Sequence, residues 1–535
     1  MIVKDEAANI QEALSSVQGF ADEIVVVDTG STDGTPDLAR SFTPQVFHYA
    51  WHDDFAAARN FSLDKATCSY CLWWDADDRV DGENAHKIRE LKKHFDGLRA
   101  FAFELRDIRE GQINCSLFQV RCFPNRKNIR FQGRIHEAID WDALADHVHL
   151  VNTNIVLTHH GYNDPDVVAR KELRNIRLLQ RERESSRNDP TLHYYLAISY
   201  SRLGRGDLAI AHMSKVVEQL DRVRFRGDQN QWARLKPYWL DTHLVLAGEW
   251  IQLGNLEEAR RCLTRVQCLD GLDAVTLYRI GALWQRLGNH AWALRFLLKV
   301  DPDLQVPLPI PVPRLRPQDV AARIACSLFA LDRVGDARSC LQALPDPVAR
   351  REAWEQVGMC AAEAGMTSLS EMAFKEALQY GFLAAEAWDQ WGELCRLRGE
   401  KRQAEAHWKK ALETAPGLES ARIRLANLYW QCGRNGEAYE AFKDLVQKGC
   451  LKVAVLLAFA QMAMERNDRA AGKAAEEALA LAIDCGALGD PCEPSLPPFL
   501  ALADLLERQG KKELARLAAC LNQWSGDLVH LSEKT

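Results

Sequence analysis

The chain has no surplus of positive charge. Its 67 Lys and Arg stand against 74 Asp and Glu, a formal net charge of -7, so it lacks the polycationic face that binding to DNA or RNA requires. It also has no run of about eighteen or more apolar residues, which excludes an evident transmembrane helix. The opening MIVKDEAANI carries neither the basic flank nor the apolar stretch of a secretory signal, and a cytoplasmic protein is expected. A disulfide framework is missing too: the 15 cysteines are an odd number scattered from Cys68 to Cys520, mostly at helix-periodic positions, as reduced core thiols are. The one tight pair, Cys68 and Cys71, has no second pair or paired histidines at ligand spacing to complete a zinc site and reads as two structural thiols. What is present is the composition of an ordinary folded protein, 47% apolar and 26% charged, in a chain of 535 residues that is too long for one hydrophobic core.

The seam falls near residue 163. Before it, short apolar runs alternate with amphipathic stretches: EIVVVD (23–28), QVFHYA (45–50), YCLWWDAD (70–77), AFAFELRD (100–107) and HLVNTNIVLTHH (149–160). That alternation predicts an α/β domain, Rossmann-like, over residues 1–163. After it the β signal stops. Residues 164–188 read as a linker helix, 189–300 as a first array of helix pairs, 301–318 as a proline-rich insert, and 319–535 as a second array with a degenerate C-terminal cap. The helical part repeats itself. Trp388, Trp391, Gly392, Cys395, Ala404, Trp408, Ala411 and Pro416 have the spacing of a helix-turn-helix unit, and a 34-residue shift finds Ala426, Tyr429, Ala438 and Phe442 downstream and Trp354, Gly358, Phe374 and Ala377 upstream. This pattern resembles the tetratricopeptide repeat (TPR), whose units bury their apolar stripes only against one another and so imply a stacked all-α solenoid.

Two acidic strand ends carry the chemistry. In Val25-Val26-Val27-Asp28-Thr29-Gly30-Ser31 a buried strand ends in an acid followed by a turn, at the crevice where open α/β sheets bind ligands. In Leu72-Trp73-Trp74-Asp75-Ala76-Asp77-Asp78 a second strand ends in clustered carboxylates. Carboxylates at alternate positions of an extended segment can converge on one hard cation, Mg²⁺ or Mn²⁺, which bridges to a diphosphate.

Together with MIVKDEAANIQEALSSV and WHDDFAAARNFSLDKA, these segments resemble family 2 glycosyltransferases of the GT-A fold in order and spacing over residues 1 to about 163. The resemblance is closest to the branch fused to TPR repeats, which includes S-glycosyltransferases of bacteriocin peptides, and to relatives that build lipopolysaccharide core. It implies an inverting transfer from a nucleoside diphosphate sugar, a UDP-sugar foremost, with Mn²⁺ or Mg²⁺ as cofactor. On this resemblance Asp28, Asp75, Arg59 and Asn60 contact the nucleotide, and Asp77, Asp75 and His159 hold the metal. Glu137 in Gly133-Arg134-Ile135-His136-Glu137 is the base for the acceptor, with His136 orienting or ligating. In this sequence His-Glu stands where many members have Glu-Asp, and only Met1, Ile2 and Val3 represent the first, central strand. The repeats are expected to recruit a peptide or protein acceptor, or a second copy of the chain in a homodimer. Rival readings are an enzyme acting on cell-surface glycan or lipopolysaccharide core, and a TPR scaffold whose GT-A domain is inactive.

Overall fold

The computed structural model describes the chain from Met1 to Asp468 apart from residues 110–111, 142–143, 145–146, 161–164, 186–188, 204, 228, 303–311, 449, 451–452 and 467. Half of the proline-rich insert and most of the C-terminal cap therefore lie outside the described residues. The chain divides into two compact units, one built from Met1–Leu196, Ser214–Thr242 and Leu304–Arg314, the other from Ala197–Met213, His243–Asp303 and Leu315–Thr535.

In the first unit three short parallel strands, β1 (Ile2–Val3), β2 (Val26–Asp28) and β3 (Val46–His48), lie side by side in that order. They are joined through α1 (Ile10–Val17) and α2 (Thr35–Arg40). Helix α1 forms because Ile10, Ala13, Leu14 and Val17 recur at helical spacing, and all four are buried. Helix α3 (Phe55–Lys65) starts where the Asp54 carboxylate accepts the Ala57 N–H at 2.8 Å, and α4 (Gly82–Leu91) starts where Asp81 accepts from Asn84 N at 2.7 Å. The turn after β2 needs positive φ at Gly30 (108°) and Gly34 (84°), which only glycine adopts cheaply.

A second, mixed sheet is larger. Its path runs from a two-residue strand at Val312–Pro313 through β7 (Gln112–Pro124), β6 (Arg99–Arg109) and β10 (His149–His159) to β5 (Asp78–Arg79), with β4 (Tyr70–Leu72) also paired to β7. β6 and β7 form a long antiparallel hairpin, β10 runs parallel to β6, and β5 pairs antiparallel with the end of β10. Strand β7 was not among the sequence-predicted strands. Two further short strands, β8 (Phe131–Gln132) and β9 (Ala138–Ile139), pair with each other. Residues 164–188 are represented by helix α5 (Pro165–Ser185).

The second unit is helical. Helices begin at Thr367, Lys401 and Asn435, a constant 34-residue step, and their partners begin at Ala385 and Glu419. The small residues of the repeat are where helices touch: Ala404, Ala411, Ala426 and Ala438 are fully buried. A Cβ on Gly358 would lie 2.5 Å from the Phe374 ring, and one on Gly392 would lie 2.5 Å from Trp408 Nε1. Trp408 cannot yield, because it is fully buried and donates its indole N–H to the Asp389 carbonyl at 3.1 Å. Gly392→Ala is therefore expected to destabilise the repeats by about 1–3 kcal/mol despite alanine's better helix propensity, read as a lower calorimetric unfolding midpoint. An unchanged midpoint would mean that the helices are not packed this closely. Cys68 and Cys71 are both free thiols.

Candidate active site

The acidic segment after β4 is held by two arginines. Main-chain pairing continues past β4, with Trp73 N–H donated to the Arg121 carbonyl at 2.8 Å, and so brings Arg121 of β7 beneath the carboxylates. Arg121 is 1% exposed, and its Nη1 reaches Asp78 Oδ2 at 2.8 Å and Asp75 Oδ2 at 3.1 Å. Arg59, from α3, donates Nη2 to Asp75 Oδ1 at 3.1 Å and Nε to Glu137 Oε1 at 2.5 Å. Both guanidiniums lie over the Trp73 ring, at 4.2 Å for Arg59 and 4.5 Å for Arg121. Although burial opposes it, this pair of cations holds the Asp75 carboxyl well below the usual carboxylate range. Both Asp75 oxygens are thus engaged, and Trp73 Nε1 adds a third donor at 3.2 Å.

Asp77 lies two residues further on, next to His159. Register explains the meeting: β10 pairs with β5 so that His159 sits opposite Asp78, and His160 N–H is donated to the Asp77 carbonyl at 2.8 Å. His159 Nδ1 is 3.0 Å from Asp78 Oδ1, and its Nε2 is 3.4 Å from Asp77 Oδ2. Ligand atoms of Asp77, Asp78 and His159 all fall within 4.8 Å of one another. Burial, with the neighbouring charges of Asp75 and Asp78, pushes Asp77 up to about 6. Against the effect of burial, the Asp78 hydrogen bond and the charges of Asp77, Asp78 and Asp75 push His159 up to about 9. A crowd of carboxylates with an imidazole is a donor set that suits a hard divalent cation such as Mn²⁺ or Mg²⁺. Asp78, which is fully buried, already serves Arg121 and His159. Asp77 and His159 are the members of the group that open on the adjoining cleft.

That cleft has a volume of about 790 Å³. Among the residues proposed from sequence, Arg59, Asp75, Asp77 and His159 line it. Four others are placed elsewhere. Asp28 uses its carboxylate to accept from Ser31 N (3.0 Å) and Gly30 N (3.3 Å), building its own turn, while the adjacent Thr29 reaches the cleft. Asn60 spends its side-chain amide on both main-chain groups of Phe131, at 2.9 Å each, tying α3 to β8. Glu137 does not line the cleft, and its carboxylate accepts from Arg59 Nε. His136 has a left-handed φ of 52°, and its ring stacks on Tyr195 at 3.7 Å.

The sequence reading missed Asp78, Arg121, Trp51, Phe55, Lys171 and Arg174. Arg121 left a usable signal, a lone arginine in the apolar strand stretch QVRCF, which needs a buried acid to justify it. Trp51 and Phe55, whose rings lie 4.7 Å apart, line the cleft from the WHDDF segment. Lys171 and Arg174 line it from α5 and belong to no motif. Removing Arg121 as Arg121→Leu takes a buried cation from two carboxylates, leaving Asp75 with Arg59 and the fully buried Asp78 with His159. The expected cost is about 3–5 kcal/mol, measured by calorimetric unfolding of the full chain. A loss below about 1 kcal/mol would show that the ion pairs are not a structural support of the site.

Residues 1–111 match Glycosyl transferase family 2. A TPR repeat-containing protein of Synechococcus elongatus is 38% identical over 170 residues, covering 30% of this chain and 41% of that protein. The SPbeta prophage-derived glycosyltransferase SunS of Bacillus subtilis is 25% identical over 221 residues, covering 41% of this chain and 52% of that protein. The lipopolysaccharide core biosynthesis glycosyltransferase LpsC of Rhizobium meliloti is 35% identical over 95 residues, covering 17% of this chain and 35% of that protein. The chain thus spans about half or less of the length of each relative. With an α/β unit carrying this site and a helical unit repeating every 34 residues, the chain holds a family 2 glycosyltransferase domain fused to tetratricopeptide repeats.

Proposed function

We propose that the chain is an inverting, metal-dependent glycosyltransferase that moves a sugar from a nucleoside diphosphate sugar, a UDP-sugar foremost, to a peptide or protein acceptor recruited by its repeats. The observation that carries this reading is the meeting of Asp77 and His159 on a cleft whose floor is the Arg59–Asp75 pair. Asp77 and His159 hold the divalent cation, which when bound neutralises charge on the departing diphosphate. Asp75 and Arg59 form a fixed rail beside the nucleotide, since each is locked by a second partner and loses no freedom on binding. Asp28 shapes the turn that carries Thr29 into the cleft. Glu137 accepts the proton of the acceptor nucleophile as it attacks the anomeric carbon, and Arg59 fixes that carboxylate in place. His136, stacked on Tyr195, sets the conformation of the loop that carries Glu137.

A second reading, transfer to a glycan of the lipopolysaccharide core, draws on the LpsC similarity. No described helix is long and apolar enough to cross a membrane. The deciding experiment is a donor and acceptor panel: UDP-, GDP- and ADP-sugars with Mn²⁺, offered Ser-, Thr- and Cys-containing peptides in one arm and core oligosaccharides in the other. Transfer to peptides supports the first reading, transfer to oligosaccharides the second, and turnover of none of the donors would remove both.

A further inference from the structure

The donor cleft is not built from the motif-bearing segments alone. Lys171 and Arg174, one helical turn apart on α5, form part of its wall together with Asp77 and His159. Helix α5 is tied to the cleft residue Phe55 and to neighbouring segments of the same unit. The Arg174 guanidinium lies over the Phe55 ring at 5.2 Å, Arg181 forms an ion pair with Asp53, and Glu182 accepts the Arg134 main-chain N–H at 3.1 Å. The cations are therefore presented by a docked helix, which limits the side-chain freedom lost when an anion binds.

Charge shows what they face. The cleft wall carries the acids Asp5, Glu6, Asp75 and Asp77. The family segment lines the cleft with two cations, Lys4 and Arg59, and Arg59 is already committed to Asp75 and Glu137. A nucleoside diphosphate leaves with more negative charge than one divalent cation balances, so further fixed positive groups at the cleft stabilise it as the bond breaks. We propose that Lys171 and Arg174 are donor-phosphate contacts, a cationic clamp delivered by the helix that follows the glycosyltransferase segment. The proposal rests on the donor reading given above. It makes α5 a working part of the donor site as well as a link to the repeats.

The test uses the full chain and calorimetric titration with UDP, GDP, ADP and dTDP in Mn²⁺, alongside the matching nucleosides. Lys171→Gln and Arg174→Gln are each expected to weaken nucleoside diphosphate binding about tenfold, and the double variant about a hundredfold, with nucleoside binding unchanged. Lys171→Arg and Arg174→Lys should restore most of the affinity at an unaltered unfolding midpoint. Wild-type-like diphosphate affinity in the double variant would overturn the clamp and leave the donor reading standing. An equal loss for nucleoside and diphosphate would also overturn it, since that marks a structural role. If the wild-type chain binds none of the four diphosphates, the clamp and the donor reading fall together.

Discussion

Asp77→Ala is expected to lower sugar transfer by about a thousandfold or more and to remove the Mn²⁺ dependence of nucleoside diphosphate binding. The reasoning is local. Asp78 is spent on Arg121 and His159, and Asp75 on Arg59, Arg121 and Trp73, so neither of the other two carboxylates of the Asp75–Asp78 segment can take over. The loss expected when the principal charge-neutralising group at a leaving group is removed is of this order. Asp78 still holds His159 in the variant, and the unfolding midpoint should stay at the wild-type value. Unchanged Mn²⁺-dependent affinity for UDP, GDP and ADP would sink the assignment of Asp77 to the metal.

Glu137→Gln separates two roles that the geometry brings close together. As the proton acceptor, Glu137 contributes only when the nucleophile attacks, so its amide should bind the donor within about threefold of wild type and turn over about a hundredfold or more slower. As a mere brace of Arg59, it would act through the donor site: binding would weaken along with turnover, because Gln cannot balance the guanidinium. A kcat loss with unchanged donor KM supports the base. Parallel loss of both parameters reassigns Glu137 to positioning Arg59.

The two strand-end motifs and the repeat were legible because each is local in sequence. Val25-Val26-Val27 and Tyr70 to Trp74 announce their strands by unbroken apolarity, each ending in an acid, and Gly392, Ala404 and Trp408 recur at a fixed step. Strand β7 was harder to see because polar residues interrupt it, as in Gln112, Asn114, Ser116 and Gln119, and its pairing with β6 supplies what its own sequence does not. The Asp77–Asp78–His159 group was half legible. Asp77 and His159 were each singled out, but that Asp78 and not Asp75 joins them follows from the β5–β10 register, which depends on contacts far apart in the chain. The same holds for Arg121, carried to the acids by the β4–β7 pairing, and for Glu137, whose pairing with Arg59 joins residues far apart in the sequence. Lys171 and Arg174 were hidden for another reason: they lie on a helix that reads as a connector, and an i, i+3 pair of cations on such a helix is ordinarily a solvated face.

The central claim is that this chain breaks the sugar–diphosphate bond with inversion, using a cation held by Asp77 and His159. Proton NMR of the full chain with an α-linked nucleoside diphosphate sugar, acceptor and Mn²⁺ reads both halves at once, through the anomeric coupling of the product and the release of nucleoside diphosphate. The account expects a β-linked product that appears with Mn²⁺ and stops on adding EDTA. An α-linked product, or equal turnover in EDTA, would contradict it.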